Sequence, residues 1–245
     1  MKSKNYQRRF YRDWVRQKDL YSLGIVVKET DLIILTDKLV DREFAEKRIQ
    51  LYRRDIEGYI NRDSRFLTEL KPIEVEFNAR PIVKAMSRAA KRTNVGPMAA
   101  VAGAIAQFLG EDLLKKGYQE VIVENGGDIF LATRKDRTIA VYAGRSKLWQ
   151  GLKLIIKAQD SPLGICTSSG TIGHSLSFGC ADSVVILAQD AILADAAATA
   201  VANRINSRAD LEKAVDFARS VRGIYGVLAV LKNNLVSWGK IEIVR

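Results

Sequence analysis

The chain is poor in the residues that build metal clusters, disulfide frameworks and rigid loops: one histidine, two cysteines and four prolines in 245 residues. So few Cys and His give no zinc-finger spacing, and there is no His-Glu-x-x-His pair. Cys166 and Cys180 cannot form a disulfide framework in a chain this long, and they read as reduced packing residues. Walker A and Gly-x-Gly-x-x-Gly patterns are missing, which argues against P-loop and Rossmann enzymes. No apolar run approaches the length of a membrane span. The first 18 residues are basic but hold no apolar segment, which argues against a signal peptide or lipoprotein signal. The expectation is therefore a cytoplasmic protein with no membrane partner. No Gly/Ser/Pro-rich linker interrupts the chain, so residues 24–245 read as one structural domain after a basic extension, 1–23.

What is present fits a globular protein: 47% hydrophobic and 27% charged residues. The net charge is +11, and Met1 to Leu20 alone carries seven Lys/Arg against two Asp, a local excess of +5. Tyr6, Phe10, Tyr11 and Trp14 are interleaved there. A basic arm with aromatics can bind nucleic acid. The other reading packs the rings on the domain and solvates the charges. Exposing four rings would leave an apolar patch, so nucleic acid is not the expected partner. Positive charge also suits an anionic nucleotide.

Along the chain, Gly24 to Asp37 predicts a hairpin, with apolar runs Ile25–Val27 and Leu32–Leu35. Asp41 to Asn61 predicts an amphipathic helix on the spacing of Phe44, Arg48, Tyr52, Ile56 and Tyr59. Pro72 to Phe77 reads as a short strand. Pro81 opens a helix that runs to about Arg92, Asn94-Val95-Gly96-Pro97 breaks it, and a second helix spans Met98 to Lys116 with Gly117 as its stop. Ala99, Ala102, Gly103 and Ala106 form a small-residue face on that helix, for tight packing or for ligand space. Strands follow at Val121–Val123, Ile129–Leu131, Thr138–Tyr142, Leu152–Lys157 and Ser183–Leu187. Helices are expected at 191–205 and 210–221. The end reads as a hairpin, Tyr225–Leu231 and Leu235–Val244, turning at Asn233-Asn234. This order points to an α+β fold: antiparallel sheets with helices packed on one side.

Three segments carry candidate chemistry. Asp195 and Thr199 are four apart, which on a helix places both on one face, about 5–6 Å apart at Cβ. A carboxylate and a hydroxyl there are hard ligands for Mg²⁺. The alternative is that Asp195 caps a helix and Thr199 is a spacer. Asn125-Gly126-Gly127-Asp128 is either a plain turn or a loop offering backbone N–H groups to an anion or ring edge. Thr167-Ser168-Ser169-Gly170, followed by Thr171, supplies hydroxyls for phosphate or flavin contacts. A nucleophilic serine would need a base, and His174 reads instead as an isolated structural residue.

These segments resemble the ApbE superfamily, whose best-known members are FAD:protein FMN transferases. The family's Asn-x-Gly-Gly-Asp-type loop, Thr-Ser-Gly loop and Asp-Ala-x-x-Thr helix are matched in order by residues 125–128, 167–170 and 195–199. Residues 96–104 and 173–175 are similar to a compact bacterial and archaeal branch. The resemblance runs from about residue 80 to the C-terminus. It implies a tunnelling-fold-related α+β architecture, a flavin nucleotide such as FAD held by the two loops, and Mg²⁺ held by Asp195 and Thr199. One departure is large. The transferases carry a His-x-x-x-x-Pro segment and Thr-Gly before the Asp-Ala-x-x-Thr helix. Here Thr171 to Ala194 has no proline, and its one histidine, His174, lies too near the Ser-Gly loop.

The leading expectation is a protein that binds a flavin or related nucleotide with Mg²⁺ and acts at its pyrophosphate. A second is a non-enzymatic ligand-binding or assembly protein that kept the fold and lost the transfer chemistry. A third is a nucleic-acid-binding protein using the basic arm. Catalytic residues, ligand identity and homo-oligomer formation stay open at this level.

Overall fold

The computed structural model describes residues 19–141, 149, 151–169 and 179–244. The basic arm 1–18, and with it Tyr6, Phe10, Tyr11 and Trp14, lies outside them. So do Tyr142, Gly170, Thr171 and His174.

An eight-stranded antiparallel sheet forms the centre, in the order β1-β2-β3-β4-β7-β8-β9-β10. Its strands are β1 (Tyr21–Val27), β2 (Thr30–Thr36), β3 (Val121–Asn125), β4 (Asp128–Ala132), β7 (Leu163–Ser168), β8 (Ser183–Ala188), β9 (Ile224–Leu231) and β10 (Asn234–Gly239). A second sheet has the order β11-β6-β5, from β5 (Arg137–Ala140), β6 (Lys153–Ile156) and β11 (Ile243–Val244). The helices are α1 (Arg42–Arg62), α2 (Arg65–Thr68), α3 (Pro81–Thr93), α4 (Val101–Lys115), α5 (Ala191–Ala202) and α6 (Leu211–Ser220).

Both faces of the large sheet are buried, and alternate residues serve different cores. Val123, Phe130, Cys166, Ile186 and Ala229 join the helices in one cluster. Ile122, Ile129, Ile165, Val185 and Leu228 pack with Ile139, Leu154 and Ile156 of the small sheet in the other. The helices therefore cover one face, as the sequence pattern suggests, and the small sheet covers the opposite face. The expected α+β class with antiparallel sheets holds.

Local chemistry sets most boundaries. Asp41 caps α1, accepting the Glu43 N–H at 3.0 Å and the Phe44 N–H at 3.3 Å. The buried stripe of α1 is Ala45, Ile49, Tyr52, Ile56 and Tyr59. Arg48 is not part of it and instead pairs with Asp112 of α4 at 2.6 Å. Asn94 ends α3 in the left-handed conformation, φ 57°. A short 3₁₀ turn, Pro97–Ala100, precedes α4, so the helix starts later than Met98.

Three expectations are corrected. Residues 72–77 form no strand: the Ile73 carbonyl accepts from Ser87, and the Glu76 N–H donates to Tyr59. Side chains of α1 and α3 take those backbone groups, and Phe77 is exposed. Thr167 and Ser168, read as loop residues, close a strand, Leu163–Ser168, that pairs on both sides, with β4 and with β8. At the C-terminus the turn is Lys232-Asn233, with Lys232 at φ 55°, and Asn234 already belongs to β10. Gly239, at φ 82°, ends β10, and the chain crosses to the small sheet as β11.

Candidate functional site

α5 is the key to the site. It runs through the core, and of its twelve residues all are buried but Asp195, which is half-buried. A helix apolar on every side belongs in an interior. A single carboxylate on it is costly unless it has partners or a task. Asp195 does not cap its own helix. Asp190 does so, accepting the Leu193 N–H at 2.7 Å. Asp195 Oδ2 instead accepts the Gly103 N–H, in the first turn of α4, at 2.9 Å. Gly103 has to be glycine here: a Cβ would stand 2.2 Å from the Ala191 carbonyl oxygen and 2.8 Å from Asp195 Cβ. The small-residue face of α4 thus serves close helix packing. Thr199, buried, follows Asp195 by one turn on the same face.

Asn125 and Asp128 close the β3–β4 hairpin as a directly opposed pair. Gly126 and Gly127 form its two-residue turn, with φ 71° and 103°. Positive φ at both positions is what such a tight hairpin needs, and glycine adopts it without steric cost. The segment is thus a hairpin turn. The Gly127 N–H donates to Glu124 Oε1 at 2.8 Å, so it supports the turn rather than facing a ligand. Asn125 Nδ2 donates to the Ala102 carbonyl at 3.0 Å, tying the hairpin to the start of α4.

Strand alternation then sorts the residues. Asp128 is paired with Cys166 across β4 and β7, and Cys166 packs in the helix-side core. Asp128 and Asp195 thus meet under α5. Burial, together with the negative charge of Asp128, pushes the Asp195 carboxyl well above the usual carboxylate range, and the Gly103 and Ala102 N–H groups only partly oppose this. Ser168, two residues beyond Cys166, lies on the same side, whereas Thr167 faces the opposite side of the sheet. There Thr167 abuts the glycine turn: a Cβ built on Gly127 would stand 4.0 Å from Thr167 Cβ. Thr167 and Ser168 are strand residues, and Ser169 follows the end of β7. Gly170 lies outside the described residues.

The arrangement brings Asp128 and Asp195 together beside the backbone of Ala102 and Gly103, with Thr199 one turn beyond Asp195 on α5. Two carboxylates crowded in a buried place and one hydroxyl fit a hard divalent cation, which would offset their mutual repulsion. Among the described residues no group of three or more His, Cys, Asp and Glu could hold a metal ion, so a cation here would also need hydroxyl, carbonyl or ligand oxygens. The roles of Gly103 and Ala102 escape sequence reasoning because backbone donors leave no side-chain signature. No described helix is long and apolar enough to cross a membrane.

The family model described as AbpE bacteria matches residues 12–233. The chain is 41% identical over 222 residues to a UPF0280 protein of Methanocaldococcus jannaschii, spanning 89% of this chain and 90% of that one. It is 38% identical over 216 residues to a UPF0280 protein of Methanosarcina acetivorans, spanning 88% and 85%. Among solved structures it resembles the flavin transferase ApbE from Vibrio cholerae, with a TM-score of 0.61 at 14% identity over 90% of this chain and 97% of that one. The apo form of the Pseudomonas stutzeri flavinyl transferase ApbE gives 0.61 at 13% identity over 90% and 94%. At such identities the likeness is one of fold. The family match and the archaeal relatives together show that this chain belongs to the AbpE bacteria family, built on the fold of the ApbE flavin transferases.

Proposed function

We propose that this protein binds FAD or a related flavin nucleotide together with Mg²⁺, and that its chemistry is directed at the pyrophosphate. What supports this reading is the pair Asp128, buried, and Asp195, half-buried, carboxylates from β4 and α5 beside the first turn of α4. Asp195, Asp128 and the Thr199 hydroxyl would hold the cation. When bound, Mg²⁺ neutralises charge on the pyrophosphate and on a leaving phosphate. The chain's own residues orient the rest. Asn125 fixes the hairpin against α4, and Ser168 and Ser169 would supply hydroxyls next to the ligand. The N–H groups opening α4 favour negative charge nearby.

The sequence departure between Thr171 and Ala194 favours a second reading, in which ligand binding persists without transfer. Calorimetry with FAD, FMN, ADP and ATP, each with and without Mg²⁺, tests the shared core of both. FAD is expected to bind well below millimolar and to do so more tightly with Mg²⁺. Asp195→Ala is expected to remove the Mg²⁺ dependence. No binding below millimolar, or a Mg²⁺ effect that survives Asp195→Ala, would overturn the assignment.

A further inference from the structure

Helices α4 and α5 are joined by two reciprocal hydrogen bonds. In one, Asp195 Oδ2 on α5 accepts the Gly103 N–H of α4 at 2.9 Å. In the other, Gln107 Oε1 on α4 accepts the Ala191 N–H of α5 at 2.8 Å. Gly103 and Gln107 are one turn apart on α4, and Ala191 and Asp195 are one turn apart on α5. The bonds therefore form the two rungs of an antiparallel ladder. Each rung joins a side chain of one helix to a first-turn N–H of the other, the groups a helix start leaves for outside acceptors.

The Gln107 amide is held in one sense. Its Nε2 donates to Glu111 Oε1 at 2.9 Å, which leaves Oε1 for Ala191. Gln107 is only 8% exposed, and an unbonded amide there would be costly. Ala191 is pinned from other sides as well. Its carbonyl accepts the Cys166 thiol at 3.3 Å, and a Cβ on Gly164 would stand 2.3 Å from its Cα.

We infer that Gln107 is a positioning residue for the Asp195 carboxylate. It fixes the first turn of α5 along α4 and so sets the height at which Asp195 meets the Gly103 N–H and faces Asp128. This rests on the proposed cation site only for the affinity measurement described next.

Three measurements are made on wild type, on Gln107→Leu, and on the swap Gln107→Glu with Glu111→Gln, which keeps an acceptor for Ala191 and a donor beside it. The Gly103 amide proton shift is read by NMR on the metal-free protein. Mg²⁺-dependent FAD affinity is read by calorimetry, and Tm by thermal melting. Gln107→Leu is expected to move the Gly103 resonance upfield as its carboxylate partner withdraws. It should weaken the Mg²⁺-dependent affinity roughly 10–100-fold, the usual effect of losing a residue that orients a metal ligand. The swap is expected to restore both. If Gln107→Leu does not fold, Gln107→Asn, one methylene too short to reach Ala191, takes its place. A lower Tm with an unmoved Gly103 resonance and unchanged affinity would reduce Gln107 to packing and overturn the inference. If wild type shows no Mg²⁺-dependent binding, the function reading fails, and the Gly103 shift with its rescue still decides the role of Gln107.

Discussion

Asp128 stands directly opposite Cys166 in the β4–β7 ladder, so a carboxyl and a thiol share the face of the sheet that α5 covers. Burial raises the Cys166 thiol well above its ordinary range, and the negative charges of Asp128 and Asp195 push it further. A thiol held protonated is a poor nucleophile. Cys180 is exposed and Cys166 fully buried. Iodoacetamide at pH 8 is therefore expected to alkylate Cys180 and spare Cys166 in the native protein, and to modify both in denaturant. Peptide mass mapping reads the result. Fast native labelling of Cys166 would show that β7 opens beneath α5.

Crowding Asp195 against Asp128 costs stability when no cation is bound. Asparagine at position 195 would keep an acceptor for the Gly103 N–H while removing one of two like charges. Asp195→Asn is expected to stabilise the metal-free protein at neutral pH by about 0.5–2 kcal/mol, the usual scale for relieving strain at a functional site. Mg²⁺ should raise the Tm of wild type by mass action and leave the variant's unchanged. Thermal melts with and without Mg²⁺ check this, and a variant less stable than wild type would contradict it.

Far from that site, Glu120 and Arg137 form a buried ion pair at 2.7 Å, with side chains 9% and 3% exposed. Thr133 Oγ1 donates to Glu120 at 2.6 Å and the Arg134 N–H at 2.8 Å. Burial alone would raise the Glu120 carboxyl, but Thr133, Arg137 and the Arg134 N–H outweigh it and hold the group below the usual glutamate range. Its stabilising contribution is therefore complete above that range and is lost as pH falls through the depressed native value. Glu120→Gln is expected to cost about 1–3 kcal/mol at pH 7, since it leaves Arg137 one charge partner, Asp19 at 2.7 Å, and weakens the buried hydrogen bonds. Urea denaturation should show the gap to wild type narrowing on acidification.

Much of the helix-side architecture is legible in the sequence because single residues enforce it. Asp41, Pro81, Asn94 and Gly117 mark helix ends, and the glycines at 126 and 127 supply the positive φ that the β3–β4 turn needs. β7 is harder to read. Its apolar run is short, and Thr167 and Ser168 look like loop residues; their strand state comes from β4 on one side and β8 on the other. Two-sided burial of the sheet is hidden as well, because it depends on β5 and β6 folding back over it. At the site, the Asp195 to Thr199 spacing is visible in the sequence. The Gly103 N–H and the Gln107 crosslink are not, since both depend on where α4 lies against α5.

Moving FMN from FAD to an acceptor hydroxyl requires a group to take the hydroxyl proton, and a positioned base typically contributes about 10²–10⁴-fold in rate. The described site offers Asp128 and Asp195, and both are directed at the proposed cation. Asp195 is in addition committed to the Gly103 N–H. The chain's one histidine, His174, stands near the Ser-Gly loop in sequence, and no His-x-x-x-x-Pro segment occurs between Thr171 and Ala194. Incubation with FAD, Mg²⁺ and an acceptor carrying a flavinylation motif is therefore expected to give in-gel flavin fluorescence at least about 10²-fold below that of an ApbE transferase assayed alongside. FAD binding should persist under the same conditions. Labelling as strong as the transferase's would mean that another group supplies the base, and that the departure between 171 and 194 carries no functional consequence.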